Sequence, residues 1–233
     1  MKEIFASYSI PISDEQVQRL EKYYQLLLEW NKKVNLTSIT EYEDVVWKHF
    51  LDSSLIMLSE EWKESSDASV LDVGTGAGFP GMVLAILNPE KKFTLLDSLS
   101  KRVDFLNIVI KELSLENVKT FHGRAENFGR MENFRNQFDF VISRAVAELP
   151  ILMEYCVPFV KRNGLFISYK GKRQKEEIDR AKHAFEELDA SFNHLQEFVL
   201  QNGEKRYLLF IQIEGETKEK YPRKEGKPKK RPL

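Results

Sequence analysis

Between Val70 and Gly81 the chain reads Val-Leu-Asp-Val-Gly-Thr-Gly-Ala-Gly-Phe-Pro-Gly, an apolar run entering four closely spaced glycines and then the helix-like stretch Met82 to Leu87. That is the build of a nucleotide-type cofactor site. Glycines let the backbone turn sharply and approach a ligand closely, while the helix that follows points unpaired N–H groups at it. The chemistry depends on which ligand such a loop takes.

Two patterns overlap here. Gly76, Gly78 and Gly81 spell the GxGxxG of dinucleotide sites, whereas Asp72, Gly74, Gly76 and Gly78 spell the D-x-G-x-G-x-G of S-adenosyl-L-methionine (AdoMet) methyltransferases. GxGxxG alone is a weak signal. A dinucleotide rests its pyrophosphate on the helix N-terminus, and a carboxylate at the strand end would repel it. AdoMet has no phosphate but carries an ammonium and a sulfonium, so Asp72, directly or through water, favours it. The competing structural role for Asp72 is to cap the next helix across a tight turn.

Asp97 is the second candidate. It ends the run Phe93-Thr-Leu-Leu and follows Gly74 by 23 residues, near the ~20-residue spacing at which an acid reaches a ribose diol. It could equally cap a helix starting near Ser100, and the two roles are compatible.

The elements that must position these residues follow from periodicity. Strands at Ser69–Val73, Phe93–Asp97, Asn117–His122, Phe138–Ser143 and Gly164–Tyr169 alternate with helical stretches at Pro80–Leu87, Lys101–Leu113, Glu148–Val157 and about Lys175–Leu188. Short apolar strands separated by such helices imply a parallel sheet covered on both faces. Glu197–Leu200 and Tyr207–Ile213 then flank Asn202-Gly203, a hairpin signal, so an antiparallel pair should close the sheet. The expected fold is α/β: a Rossmann-like class I AdoMet-dependent methyltransferase with a mainly parallel seven-stranded sheet and an antiparallel last strand. Ahead of it, Ser13-Asp-Glu-Gln16 and Thr40-Glu-Tyr-Glu43 read as capping boxes, the second opening a helix through about Met57. The reading divides the chain into a helical cap (1–64), an AdoMet-binding core (65–214) and a basic tail (215–233).

These residues resemble one family closely: the bacterial 16S ribosomal RNA guanine-N7 methyltransferases, known as RsmG or GidB. The resemblance spans nearly the whole chain. It is carried by Trp30-Asn with Asn35-Leu-Thr37, His49-Phe-Leu-Asp-Ser53, the loop Leu71 to Gly81, Leu96-Asp-Ser-Leu-Ser-Lys-Arg102, Ser143-Arg-Ala-Val-Ala147, Lys170-Gly171 and the ending Tyr221-Pro-Arg-Lys-Glu-Gly-Lys-Pro. Gly-Phe-Pro-Gly joined to Ser-Arg-Ala-Val at this distance is the specific part. The resemblance implies AdoMet bound by Gly74 and Phe79, by Asp97, Ser98 and Leu99, by Ala125 and Glu126 near the adenine, and by Arg144. Phe79 would wall the pocket. Arg144 would bind a carboxylate or phosphate, or else pair with Glu148 or Asp72.

Absent residues narrow the chemistry. Carbon-5 pyrimidine methylation needs a cysteine nucleophile, and the lone Cys156 falls in a helix past the fourth strand. Exocyclic-amine methylation usually comes with Asn/Asp-Pro-Pro-aromatic where this chain has Ser143-Arg-Ala-Val. Guanine N7 attacks through a free lone pair and loses no proton, so alignment suffices and no catalytic acid or base is assigned. The remaining alternatives are methylation of another substrate, or a non-catalytic RNA-binding assembly factor. His49, Asp52 and Ser53 make one polar face of a helix, read as a buried hydrogen-bonded network joining cap to core rather than a face meeting the cofactor pocket or RNA; a metal site would need more ligands, and no metal is expected.

Net charge is −1, yet residues 215–233 hold eight Lys and Arg against three Glu. That tail, with Arg223, suits phosphate contacts or a solvated end alike. Lys170, Lys172 and Arg173 follow the fifth strand, on the edge where parallel sheets bind ligands, and with the tail would form an RNA-binding rim. The expected partner is 16S rRNA or the small ribosomal subunit. With one cysteine, no apolar segment after Met1 and no run near the ~20 residues that span a bilayer, a cytoplasmic monomer is expected.

Overall fold

The computed structural model describes residues 1–201 and 203–233. Seven strands, β1 (Ser69–Val73), β2 (Lys92–Asp97), β3 (Val118–His122), β4 (Phe138–Arg144), β5 (Val160–Lys170), β6 (Ala190–Val199) and β7 (Lys205–Ile213), form one sheet in the order β3-β2-β1-β4-β5-β7-β6. β7 runs antiparallel to the strands on either side of it, β5 and β6. Strand order reverses between β1 and β4, which opens a crevice beyond their carboxyl ends. Asn202 of the hairpin signal lies outside the described residues.

Period-two alternation gives the central strands two buried faces. In β7, Leu208 and Phe210 join one core while Leu209 and Ile211 join the other. The first core is packed by α1 (Lys2–Ala6), α2 (Asp14–Asn31) and the shorter helical turns of the cap, then by α6 (Gly81–Leu87) and α7 (Ser100–Glu112). Against the other face lie α9 (Leu149–Cys156), α10 (Gln174–Arg180) and α11 (Lys182–Glu187). Cys156 is buried among them.

The first capping box forms fully: Ser13 Oγ accepts from Gln16 N–H at 3.1 Å and Gln16 Oε1 from Ser13 N–H at 2.8 Å. Gln16 also reaches the last turn of α6, donating to Leu87 O at 3.0 Å, so the cap is tied to the first crossover helix. The second box does not form. The Tyr24 hydroxyl donates to the carbonyl of Thr40, and the chain turns helical one residue later, with Glu41 as N-cap. Instead of one long helix there follow α3 (Tyr42–Val45), a π-helix (Val46–Leu51), α4 (Asp52–Ser54), a 3-10 turn (Leu55–Leu58) and α5 (Glu60–Glu64).

Other departures are local. β6 starts at Ala190 rather than Glu197, because an edge strand with half-exposed Phe192 and His194 shows little apolar alternation. The stretch read as one helix at 175–188 breaks at Ala181. A four-residue helix, α8 (Ala125–Phe128), follows β3 and is too short to leave a periodic signal. The tail folds back onto α9 and ends in α12 (Lys227–Lys230). Among the described residues no helix is long and apolar enough to cross a membrane.

Candidate functional site

The glycine loop lies between β1 and α6, held from both sides by carboxylates. Asp72, wholly buried, accepts from Gly81 N–H at 2.8 Å, the first N–H of α6. This is the capping role. Burial raises its pKa to about 7, against the pull of Thr75, the Gly81 N–H and the Arg144 charge. Its other oxygen, Oδ1, has no hydrogen-bond partner, an unspent acceptor beneath the loop. Gly81 must be glycine because a Cβ there would stand 2.8 Å from Asp72 Cβ and 2.4 Å from Leu95 Cδ2.

Asp97, at the end of β2, accepts from Gly76 N–H at 2.8 Å and from Leu99 N–H at 2.9 Å. It therefore braces the loop without capping α7, whose N-cap is Leu99. Oδ1 keeps a second lone pair, while Oδ2 is also approached by Arg102 Nη1 at 3.5 Å. Gly76 has φ +63°, and the space where its Cβ would project is open. A left-handed glycine opening onto free space, next to a carboxylate and above an orphaned buried acceptor, fits a cationic nucleoside such as AdoMet.

Five of the expected residues, Gly74, Asp97, Ser98, Ala125 and Glu126, line one small cavity of about 90 Å³, together with Val146 and Tyr155. Leu99 lies at its edge, half exposed. Phe79 is placed elsewhere. Its ring is buried under the cap, stacked on His49 with centroids 4.3 Å apart and touching Tyr23.

Arg144 sits over the Phe79 ring, 5.3 Å from its centroid, and pairs with neither Glu148 nor Asp72. Its Nη1 donates to Asp52 Oδ2 at 2.5 Å and to Lys48 O at 3.1 Å. Arg206 Nε approaches the other Asp52 oxygen at 3.1 Å. His49 of the π-helix and Asp52 of α4 thus form a largely buried network joining cap to core, and both also line the larger cleft described below. His49 completes it: Nε2 meets the Thr37 hydroxyl at 2.9 Å and Nδ1 lies 3.3 Å from Arg144. Burial, then the Arg144 charge, hold its pKa down at about 3. A neutral imidazole with both nitrogens engaged is no proton acceptor at pH 7. Among the described residues no group of three or more His, Cys, Asp or Glu is placed to hold a metal.

Arg144, Arg206, Lys48, Lys170 and Arg173 line a larger cleft of about 700 Å³. Val146 borders both this cleft and the small cavity, standing over Gly74 with Cγ2 2.5 Å from the position of a Cβ there. The rim residues divide. Lys170 is nearly buried, donating to Ala147 O at 2.9 Å and Glu177 at 2.6 Å, while Lys172 and Arg173 are exposed. Arg223 is turned inward, where Glu154, wholly buried, takes its guanidinium at 2.5–3.0 Å.

Sequence reasoning missed Tyr23 and Arg206. The Tyr23 hydroxyl donates to the carbonyl of Ala77 inside the glycine loop, and its ring stacks on Phe50. Neither partner is local; the one signal that could have marked Tyr23 is its helical spacing from Leu20 and Leu27. Arg206 lay in a segment read as turn, with nothing nearby to mark it.

The architecture is similar to that of solved methyltransferases. An O-methyltransferase from Bacillus cereus, in complex with SAH, matches with a TM-score of 0.59 at 16% identity, over 91% of this chain and 96% of that one. A putative O-methyltransferase from Klebsiella pneumoniae gives 0.59 at 12% identity, over 92% and 96%. Identities this low speak for the fold. Sequence relatives speak for the family. The ribosomal RNA small subunit methyltransferase G of Alkaliphilus metalliredigens is 49% identical over 223 residues, 95% of this chain and 92% of that protein. That of Lactococcus lactis subsp. lactis is 45% identical over 226 residues, 97% and 94%. Residues 16–208 match the GidB family, described as rRNA small subunit methyltransferase G. With the glycine loop, Asp97 and the seven-stranded sheet all in place, the chain belongs to that family.

Proposed function

We propose that the protein transfers the methyl group of AdoMet to N7 of a guanine in 16S rRNA of the small ribosomal subunit. The observation that carries the reading is the adjacency of two clefts at the switch point. One is lined by the carboxylate and small residues suited to a ribose and adenine, the other by cations suited to RNA, and Val146 alone borders both among the residues expected to matter. AdoMet supplies an electrophilic methyl on a positively charged sulfur. Asp97 would hold the ribose hydroxyls, Ala125 and Glu126 the adenine edge, and Gly74 and Gly76 the close backbone approach.

The N7 lone pair forms the new carbon–nitrogen bond as the carbon–sulfur bond breaks, and the positive charge passes from sulfur to the purine. No proton leaves N7, so the absence of a basic side chain suits the reaction: His49 is neutral and fully engaged, and Asp52 is tied to two guanidiniums. Alignment is then the main task of the site. Lys172 and Arg173, exposed beside the larger cleft, are the phosphate contacts we assign. Replacing both with Ala should weaken RNA binding and flatten its salt dependence while leaving AdoMet affinity intact.

Tritium transfer from labelled AdoMet to small-subunit rRNA, followed by mapping of the modified base, tests the proposal. Label on one guanine N7 is the expected result. Label on another atom would revise the substrate, and no incorporation into rRNA or any ribosomal particle would overturn the function. We further infer a monomer acting in the cytoplasm, to be checked by sedimentation.

A further inference from the structure

Residues 217–231 are not a loose tail. They cross α8 and α9 on the face opposite the cap, held by Arg135, which donates to the carbonyls of Thr217, Lys218 and Tyr221, and by Tyr221 itself, which is buried and donates to Glu187 at 2.7 Å. Pro222 packs against Gly129, where a Cβ would stand 3.1 Å from Pro222 Cγ. Next comes the Arg223–Glu154 pair, in which the Arg223 backbone N–H also donates to Glu154, at 2.7 Å. Beyond it, Gly226 at φ +75° points its N–H at Glu126 Oε1, 3.2 Å away, and Glu225 meets Arg124 Nε at 3.2 Å.

These anchors converge on one wall. Arg124 at the N-cap of α8, Ala125 and Glu126 within it, and Tyr155 from α9 line the small cavity beside Asp97. A four-residue helix has no stability of its own, since a single turn does not repay its nucleation. Glu126 is buried, and among the described residues a backbone N–H of the C-terminal segment donates to its Oε1. Glu154, one residue before Tyr155, would be a buried unpaired charge without Arg223.

We propose that residues 217–231 act as a positioning strap for the cofactor cavity, setting the wall formed by α8 and Tyr155 so that AdoMet affinity depends on the strap. The inference rests on the AdoMet reading given above. Arg223, Gly226 and Glu225 are positioning residues that act through Glu154, Glu126 and Arg124.

Two full-length variants test it. Gly226→Pro removes the N–H donated to Glu126 and forbids the positive φ, while leaving the Arg223–Glu154 pair. Arg223→Met with Glu154→Leu replaces the charged anchor without orphaning a buried charge. AdoMet binding is read by calorimetry, with circular dichroism and thermal unfolding as folding controls. We expect each variant to weaken AdoMet binding at least fivefold, with RNA affinity within twofold of the parent. For Gly226→Pro, Tm should stay within about 3 °C, less than about 1 kcal/mol of stability in a chain of this size. Folded variants that bind AdoMet like the parent overturn the strap, as does a loss of RNA affinity with AdoMet binding intact, which would make the segment an RNA contact. Failure of the parent itself to bind AdoMet overturns the cofactor reading and the strap with it.

Discussion

Asp72 and His49 are buried titratable groups whose shifts drive stability in opposite directions. The Asp72 carboxyl titrates near 7 in the fold, so between about pH 4 and 7 the folded chain holds a proton that the unfolded chain has released. Its contribution therefore falls as pH rises through that window and stays low above it. His49 titrates near 3 in the fold, so between about pH 3 and 6.5 the unfolded chain takes a proton that the folded chain refuses. Its contribution falls as pH drops. Across about pH 5 to 6.5, above the range where ordinary carboxylates titrate, the two oppose one another. Asp72→Asn should make unfolding free energy climb more steeply with pH there than in the parent, by up to about 1.4 kcal/mol per pH unit, measured by urea titration. His49→Gln should tilt the dependence the other way. Identical slopes in parent and Asp72→Asn would mean that Asp72 is ionised in the fold. Sequence alone marked both residues but not their environment: Asp72 is buried between Leu95 of β2 and Ile142 of β4 beneath Gly81, and His49 is buried against Phe79 beside the Arg144 charge, contacts that span the chain.

At the scale of elements, the loop between β1 and α6 separates two demands on glycine. Gly81 answers to packing, and Gly76 answers to backbone conformation and open space. Gly81→Ala should overpack Leu95 and Asp72 at a cost of roughly 1–3 kcal/mol, lowering Tm by several degrees. Gly76→Ala meets no neighbour and should cost about 1–2 kcal/mol through its left-handed φ, yet it puts a methyl group beside Asp97 where the cofactor would lie. AdoMet affinity measured on the folded protein should therefore drop at least tenfold in Gly76→Ala, for the smaller loss of Tm. The opposite ranking would place the cofactor away from this loop. The strands and crossover helices around it were legible because each is a buried run with its own period, from Ser69–Val73 to Phe138–Arg144. What stayed illegible was decided by distant groups. Thr40 reads as a cap, but Tyr24 of α2 takes its carbonyl and delays the helix; α8 and the C-terminal strap owe their shape to ion pairs and hydrogen bonds spanning up to 100 residues.

Over the whole molecule, Asp52 is where cap, switch point and sheet ending meet. It comes from α4 in the cap, Arg144 from the end of β4, and Arg206 from β7, while the Tyr169 hydroxyl of β5 donates to Ser53 O at 2.8 Å. Cap helices share a single apolar core with one sheet face, so the polar cluster is not needed to hold the cap on. Its effect is to fix where the cationic side of the large cleft stands relative to the glycine loop, through Arg144 stacked on Phe79. Removing the carboxylate alone leaves two guanidiniums facing one another with little water. Asp52→Leu should therefore destabilise by on the order of 2–4 kcal/mol, somewhat below the fully buried range because Arg206 keeps partial solvent contact. The triple change Asp52→Leu, Arg144→Met, Arg206→Met removes the orphaned charges and should recover most of that loss in chemical unfolding. Methyl transfer to rRNA should stay low in the triple variant, because the aligned cations are gone. Were the triple variant as active as the parent, the cluster would be structural only, and the larger cleft would not be the RNA-facing side of the site.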